Sequence, residues 1–449
     1  MRSILGDKIP MKFIFALLAF AISLSAAPEV TFKEYKLKNG LRVILSEDHS
    51  APTYSIAVTY NVGSRDEKAG RTGFAHLFEH MMYQGSENVG KGEHFALIQN
   101  NGGDMNGTTS ADRTNYFEML PANQLDLGLF MEADRMKSLV INQANLDNQR
   151  NAVQEERRLR IDNQPYGKTF EAISDTAFDD FGYKHSTIGS MEDLNAATVE
   201  DVAAFFKRYY APNNAVVALV GDFKSEEALK KVEQYFGSIS SQPAPPQPDV
   251  AEPEQRAERR KTIEDQFAQI PRVDIVYKVP AANSPDMSAL DLITDVMGAG
   301  QSSRLYQSMV KEKELAVQAL SFLQPQRGVS LLLFIGLVRP GKEIGTLEKS
   351  MEAEIERLRT EPISEAELAR VKMRAKTLHY ADIRGSVNRA MELSENAVFY
   401  NDPGRINTVE QMYQKVTRED VQRVAKKYFT VENRTVVTTL PQAAKVVAK

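Results

Sequence analysis

The sequence predicts an α+β protein of two homologous domains, each a mixed or antiparallel sheet with helices packed on one face. The first observation behind this prediction is an internal duplication. The segment from Thr198 to Val217 recurs without a gap from Thr417 to Val436, a separation of 219 residues. Both copies begin with a threonine that is followed three residues later by an aspartate, a signal for a helix start. Both copies end in a β-prone run.

The second observation is a proline-rich segment between the two copies. Its prolines are Pro243, Pro245, Pro246, Pro248 and Pro253. Because proline cannot sustain a helix or a central strand, this stretch is interpreted as a semi-rigid linker. We therefore expect an N-terminal domain over residues 28–239, the linker over 240–260 and a C-terminal domain over 261–449.

The N-terminus is typical of a secretory signal peptide, which we expect to occupy residues 1–27. Met11 is the expected working start, and Lys12 precedes an apolar stretch over 13–24 and the small residues Ala26 and Ala27. Cleavage is expected after Ala27 or Ala26. The apolar stretch is shorter than the about 20 residues that a membrane-spanning helix needs, so no stable span is expected. The expected location is the periplasm or the exterior.

Three early segments predict the first strands and the first helix. A β-prone run on each side of Asn39-Gly40 predicts two strands, and this dipeptide suits a two-residue hairpin turn. The β-rich run over 54–62 predicts a third strand. Over residues 73–82 the apolar positions change to helical spacing, which predicts a helix.

Composition excludes several classes of protein. The 449 residues are 42% hydrophobic and 26% charged, which is typical of globular domains. Lys and Arg number 55 against 60 Asp and Glu, so the chain lacks the basic excess that nucleic acid binding requires. Cysteine is absent, which excludes disulfides, thiolate metal sites and cysteine nucleophiles. Only 6 histidines occur, and two of them form a close pair.

That pair lies in the pentapeptide His76-Leu77-Phe78-Glu79-His80. On a helix, residues three and four apart share a face, so both imidazoles and the Glu79 carboxylate project into one space. Neutral imidazoles are good zinc ligands, but a catalytic zinc takes a third protein ligand and keeps one open position. The alternative interpretation is a helix whose histidines satisfy local hydrogen bonds.

The surrounding sequence resembles the pitrilysin, insulin-degrading enzyme and mitochondrial processing peptidase family of inverzincins. Three segments carry the resemblance, which extends over residues 35–440, including the duplication and the linker. They are Gly73-Phe-Ala-His-Leu-Phe-Glu-His-Met81, Asn106-Gly-Thr-Thr-Ser110 with Thr114-Asn115-Tyr116, and Arg150-Asn-Ala-Val-Gln-Glu-Glu-Arg157.

The resemblance implies that His76, His80 and Glu156 bind one Zn²⁺ per chain and that Glu79 is the general base. Glu155 is the alternative to Glu156, although it would face about 100° away on a helix. Where the family often has a glutamate that supports the metal site, this chain has Gln149. An amide still forms hydrogen bonds but brings no charge.

The resemblance also implies an edge strand that binds peptide substrates through its main chain, over Asn106, Gly107, Thr108 and Thr109. The alternative is an ordinary strand in which the nearby glycines serve turns and a bulge.

A second departure concerns the other domain. Self-sufficient relatives supply an Arg and a Tyr from it to hold the substrate and polarise the scissile carbonyl. Lys311 and Val317 stand at those places here, and the spacing of Arg304 and Tyr306 does not match, which favours structural roles for them. We therefore expect the chain to be the zinc-bearing subunit of a heterodimer, with a homologous non-zinc subunit lending the Arg and the Tyr.

The expected activity is zinc-dependent endopeptidase cleavage of peptides or unfolded segments. Three alternatives remain: a self-sufficient homodimeric peptidase, a non-catalytic structural or peptide-binding subunit, and a carrier that uses the zinc site without hydrolysis. The presence of all four zinc-site residues argues against the second. Neither nucleic acid nor a membrane is an expected partner.

Overall fold

Two mixed sheets form the framework of the computed structural model, which describes residues 29–442. Both sheets lie in one compact unit that begins at Phe32. The strands are β1 (Lys33–Lys36), β2 (Arg42–Glu47), β3 (Thr53–Tyr60), β4 (Asp104–Thr109), β5 (Thr114–Pro121), β6 (Ala215–Gly221), β7 (Arg259–Asp265), β8 (Arg272–Val279), β9 (Ala316–Gln324), β10 (Ser330–Val338) and β11 (Arg434–Pro441). The strand orders are β1-β2-β6-β3-β5-β4 and β7-β11-β8-β10-β9.

Helices fill the connections between the strands. They are α1 (Phe74–Met81), α2 (Glu93–Asn100), α3 (Leu125–Lys137), α4 (Gln143–Arg157), α5 (Gly167–Ala177), α6 (Phe181–Lys184), α7 (Met191–Asn195), α8 (Val199–Tyr209), α9 (Ser225–Phe236), α10 (Met287–Gly298), α11 (Ile344–Thr360), α12 (Glu365–Asp382), α13 (Ser386–Tyr400), α14 (Val409–Lys415) and α15 (Arg418–Tyr428). Two π-helical turns, Arg158–Asp162 and Tyr306–Glu312, add to them. Among the described helices, none combines the length and the apolar composition that crossing a bilayer requires.

The two sheets have the same plan, which confirms the predicted fold class. In each sheet one pair of strands is parallel, β2 with β6 and β7 with β11, and the other pairs are antiparallel. Helices α1, α3, α8 and α9 pack on one face of the first sheet, and α10, α11 and α15 pack on the second sheet. The buried apolar side chains of these layers form the two main cores.

The duplicated segments occupy equivalent places in the two sheets. Helices α8 and α15 both begin with a capping box, in which a threonine and an aspartate satisfy each other's free amides. Asn214 donates its side-chain amide to the carbonyl oxygens of Tyr209 and Asn61. Its repeat, Asn433, donates in the same way to Tyr428 and Lys278. The sequence repeat is therefore a structural repeat.

Each sheet also receives a helix from the other half of the chain on its remaining face. Helix α5 packs on β7, β8 and β11 of the second sheet, where Ile173 lies in a shared apolar cluster. Helix α13 packs on β3 and β6 of the first sheet, where the hydroxyl groups of Ser55 and Ser386 lie 2.8 Å apart. Neither sheet is therefore covered on both faces by its own half alone.

The first hairpin is present, but the predicted two-residue turn is wrong. Leu37 donates its amide to the Leu41 carbonyl oxygen, which leaves a three-residue loop over 38–40. Only Gly40 has a positive φ in this loop, whereas a type I′ turn needs two such residues. Asn39 instead donates its side-chain amide to the carbonyl oxygens of Phe236 and Ile239.

Two other sequence predictions concern the N-terminal segment and the proline-rich segment. The predicted signal peptide, residues 1–27, lies outside the described residues. The proline-rich segment carries no helix or strand from 240 to 258, and β7 begins at Arg259. The division of the chain into two domains at 240–260 stays a prediction.

Candidate functional site

Helix α1 presents its two histidines and one glutamate away from the apolar core. Phe74, Leu77 and Phe78 of this helix are buried in the first core. Helix α4 packs beside α1 and brings Glu156 to the two imidazoles. The structure thus places residues that are 76 positions apart in the sequence, His80 and Glu156, in direct contact.

The three side chains form a tripod of possible ligand atoms. Glu156 Oε2 lies 3.3 Å from His80 Nε2 and 3.6 Å from His76 Nε2. The imidazole rings are 4.8 Å apart between centroids and inclined at 82°. Ligand atoms about 2.0–2.1 Å from a tetrahedral zinc are separated from one another by about 3.3 Å. The residues therefore fit a zinc ion with three protein ligands.

The protonation states also suit a metal. Burial, with a contribution from His80, lowers the pKa of His76 to about 4, so this imidazole is neutral at neutral pH. The hydrogen bond with His80 lowers the pKa of Glu156, which keeps this carboxylate ionised. Neutral imidazole and ionised carboxylate are the forms that bind zinc.

Glu79 lies beside the tripod and is not part of it. Its side chain is buried, and Thr109 Oγ1 donates a hydrogen bond of 2.5 Å to Glu79 Oε2. Burial raises the pKa of this carboxyl group above its ordinary value. A carboxylate of raised pKa next to a metal site is suited to take up a proton and release it again.

The structure brings Glu156, not Glu155, to the histidines. The side chain of Glu155 is 58% exposed and pairs with Arg158, whereas that of Glu156 is 18% exposed. Glu156 also forms an ion pair of 2.8 Å with Arg160, one helical turn further on. The one-residue alternative therefore places its carboxylate in solvent.

Gln149 occupies the place where a supporting residue is expected. Its Oε1 lies 3.3 Å from His80 Nδ1. Because an amide oxygen can only accept, this contact needs a proton on His80 Nδ1, which would leave Nε2 as the ligand atom for a metal. Gln149 thus fixes the tautomer of His80 without adding a negative charge.

The predicted substrate strand, β4, is an edge strand with open main-chain groups. Just after β4, Ser110 donates its amide to the carbonyl oxygen of the opposing residue, Arg113, so these two residues form a hydrogen-bonded pair. Because such pairs alternate with non-bonded ones, the main-chain groups of Gly107 and Thr109 face the open edge. Consistently, the Gly107 amide donates to the side chain of Asn106 instead of to β5. The main-chain groups of Asn106 face β5 instead.

Thr108 is bound by a residue of β5 and by the residue just before that strand. Its Oγ1 donates to Asn115 Oδ1 at 2.6 Å, and Arg113 donates to both oxygen atoms of Thr108. Of the four residues predicted for substrate binding, Gly107 and Thr109 therefore offer their main chain, whereas Asn106 and Thr108 support the strand.

A cavity of about 730 Å³ adjoins the tripod and is lined by both halves of the chain. His76, Thr109 and Glu156 lie on one side, and Phe170, Arg272 and Phe322 lie on others. The side chains of Phe170 and Phe322 stay 45% and 46% exposed. The cavity is in the size range of pockets that bind ligands.

The residues of the second half that were considered for substrate binding do not line this cavity. Arg304 forms two hydrogen bonds with Glu367, of 2.7 and 3.1 Å, which is a structural role. Lys311 lies in the second π-helical turn, and Val317 is an exposed residue of β9. Neither Lys311 nor Val317 is among the described residues that line the cavity.

A second cluster of possible ligands is already neutralised by an arginine. His94, Glu118 and Glu132 are buried and close together, with His94 Nε2 2.9 Å from Glu118 Oε1. Arg135 binds both oxygen atoms of Glu132 and lies 4.4 Å from the centre of the Tyr116 ring. A guanidinium thus supplies the positive charge that a metal would bring. Of the two clusters, only the tripod beside the cavity is suited to a metal.

Sequence reasoning missed two residues near the tripod. Glu67 binds the first turn of α1, and His185 binds Glu67 and lines the cavity. The sequence gives only an indirect signal for Glu67. Gly73, at the start of α1, has no side chain with which to cap the helix, so another residue has to bind the free amides there.

Two family descriptions match the chain. "Insulinase (Peptidase family M16)" matches residues 42–190, and "Peptidase M16 inactive domain" matches residues 196–375. The zinc protease PqqE of Helicobacter pylori is 32% identical over 408 residues, which cover 90% of this chain and 92% of that relative.

Solved structures have the same fold. A protease from Helicobacter pylori superposes with a TM-score of 0.88 at 31% identity, over 92% of this chain and all of that one. The periplasmic protease PqqL of Escherichia coli gives a TM-score of 0.76 at 18% identity, over 93% of this chain and 48% of that one. With the metal-site motif and the duplicated sheets in place, the chain belongs to the insulinase family of peptidases, family M16.

Proposed function

We propose that the chain is a zinc-dependent endopeptidase that cleaves peptides or unfolded segments. The observation that carries this proposal is the tripod of His76, His80 and Glu156 with the Glu79 carboxylate beside it. The name of the Helicobacter pylori relative, a zinc protease, supports it. When bound, zinc polarises a carbonyl group and lowers the pKa of water.

The residues of the chain then have separate tasks. Glu79 takes a proton from the attacking water and passes it to the leaving amine, a step for which its raised pKa is suited. Thr109 holds the Glu79 carboxylate through its hydroxyl group and offers its own main chain to the peptide. Gly107 offers the next open main-chain position, so the peptide adds to β4 as an extra strand.

We further propose a periplasmic or secreted location and a homologous partner subunit without the zinc motif. The location rests on the signal-like sequence of residues 1–27. The partner rests on Lys311 and Val317, since lysine lacks the planar fork of arginine and valine has no hydrogen-bond donor.

Cleavage of a mixture of quenched peptides by the purified, zinc-loaded chain tests this function. We expect weak turnover that a chelator removes, and faster turnover after addition of a homologous chain that carries the Arg and the Tyr. Full turnover by a chain that only self-associates would contradict the partner proposal and leave the peptidase in place. No turnover under either condition would contradict the peptidase.

Gly107 gives a prediction that is specific to the contact between strand and base. A Cβ atom at this position would lie 2.9 Å from Tyr83 Oη and 3.2 Å from Glu79 Cγ. We expect Gly107→Ala to displace Glu79 or β4 and to lower kcat/KM by about 10- to 100-fold. Steady-state kinetics measure this loss, and zinc affinity should change little. The control is Gly345→Ala in α11, where no atom lies within 4 Å of the added Cβ. Equal kinetics for the two variants would refute the prediction.

A further inference from the structure

We propose that Glu67 and His185 form a positioning pair that holds the first turn of the metal-site helix α1 and thereby sets the affinity of the site for zinc. This inference rests on the proposed zinc site and adds two residues to it. Neither residue is one of the three possible ligands. Glu67 binds the main chain of α1, and His185 acts through Glu67.

Helix α1 cannot be capped by its own N-cap residue. That residue is Gly73, with φ of 84°. A Cβ atom there would lie 2.5 Å from the carbonyl oxygen of Ile188, so a serine or aspartate does not fit. The free amides at the start of α1 must find their acceptors elsewhere.

Glu67 supplies these acceptors from outside the helix. Its Oε1 accepts from the Ala75 amide at 2.7 Å, and its Oε2 accepts from the Gly73 amide at 2.9 Å. The side chain is fully buried, so water cannot replace either bond. A carboxylate at this end of a helix also interacts favourably with the helix dipole.

His185 fixes the orientation of Glu67. Its Nε2 lies 2.9 Å from Glu67 Oε2, and its Nδ1 donates to the Phe181 carbonyl oxygen at 2.8 Å. The Phe181 ring stacks on the imidazole at 4.5 Å. With Nδ1 committed to the carbonyl, one proton lies between Nε2 and the carboxylate, whichever group carries it. The pair is thus held at the start of α1, with His185 lining the cavity.

The position of the first turn matters because His76 belongs to it. Ala75, which binds Glu67, directly precedes His76, and α1 has only 8 residues. A shift of this turn moves His76 Nε2 relative to Glu156 Oε2, which are 3.6 Å apart. Metal sites need their ligands held within about 0.5 Å of the binding geometry.

The test compares Glu67→Gln with Glu47→Gln, a matched control. Glu47 Oε1 accepts from the Ser225 amide at 2.7 Å, at the start of α9, so both variants replace a carboxylate that binds a helix start. Glutamine at position 67 places its NH₂ group against a main-chain amide. We expect the zinc Kd, measured by competition with a chromogenic chelator, to rise about 10- to 100-fold in Glu67→Gln and less than about twofold in Glu47→Gln.

A second variant, His185→Gln, covers the case that Glu67→Gln does not fold. We expect a smaller rise in its zinc Kd, about 3- to 10-fold, with the thermal unfolding of the metal-free chain as a measure of folding. Folded variants of both residues with a wild-type zinc Kd would overturn the inference while leaving the proposed function intact. A wild-type chain without measurable zinc affinity would instead contradict the proposed function, and this inference would fall with it.

Discussion

Replacement of Glu79 by glutamine is expected to lower kcat by about 10²- to 10⁴-fold, the usual contribution of a general base. Glutamine has the shape of glutamate but cannot accept a proton at neutral pH. Glu79 is not one of the three possible ligands, so zinc affinity should stay within about threefold of wild type. The measurements are kcat on a quenched peptide and zinc Kd by chelator competition, made on the same preparation.

Glu93→Gln is a suitable control for this experiment. Glu93 lies in the first turn of α2, where its exposed carboxylate accepts from the Gly90 amide, away from the tripod. It should leave kcat unchanged. If Glu79→Gln keeps wild-type turnover, the base is another group. If zinc is lost together with turnover, Glu79 acts on the metal site itself, and the proposed division of tasks is wrong.

The sequence was most informative where the interacting residues are close along the chain. Helical spacing alone places His76, Glu79 and His80 on one face, and the structure has them there. Glu156 is 76 positions beyond His80, and no local periodicity connects them. Its place beside the histidines followed from the resemblance, and the structure has it on a helix packed against α1.

The features that were not predicted depend on distant contacts. The turn after β1 follows from the bonds of Asn39 to Phe236 and Ile239, about 200 residues away. Likewise, the apolar faces of α5 and α13 predict burial but do not indicate which sheet buries them. Arg157 belongs to a basic run, Arg157-Arg158-Leu159-Arg160, whose composition alone is typical of a solvated helix face. It is 9% exposed, because it binds Glu171 and the Gly189 carbonyl oxygen.

The other large effect is expected from Glu156→Gln. A neutral amide oxygen is a much poorer zinc ligand than a carboxylate, and the variant leaves two protein ligands of full strength where a catalytic zinc needs three. We expect the zinc Kd to rise by about 100-fold or more, beyond the 10- to 100-fold that follows the loss of a supporting residue. Turnover at limiting zinc should fall in parallel, and excess zinc should restore part of it. Chelator competition and a zinc titration of kcat/KM measure the two effects.

The adjacent glutamate is the control for this substitution. Glu155→Gln removes the same charge one residue earlier on α4, from a side chain that is 58% exposed and paired with Arg158. Such a surface ion pair contributes about 0–1 kcal/mol, so zinc Kd and turnover should stay within about twofold of wild type. The opposite pattern, with zinc lost in Glu155→Gln and kept in Glu156→Gln, would show that the ligand is assigned one residue too far along the chain. Equal losses in both variants would instead point to the overall charge of α4, because the two substitutions differ only in which side chain reaches the histidines.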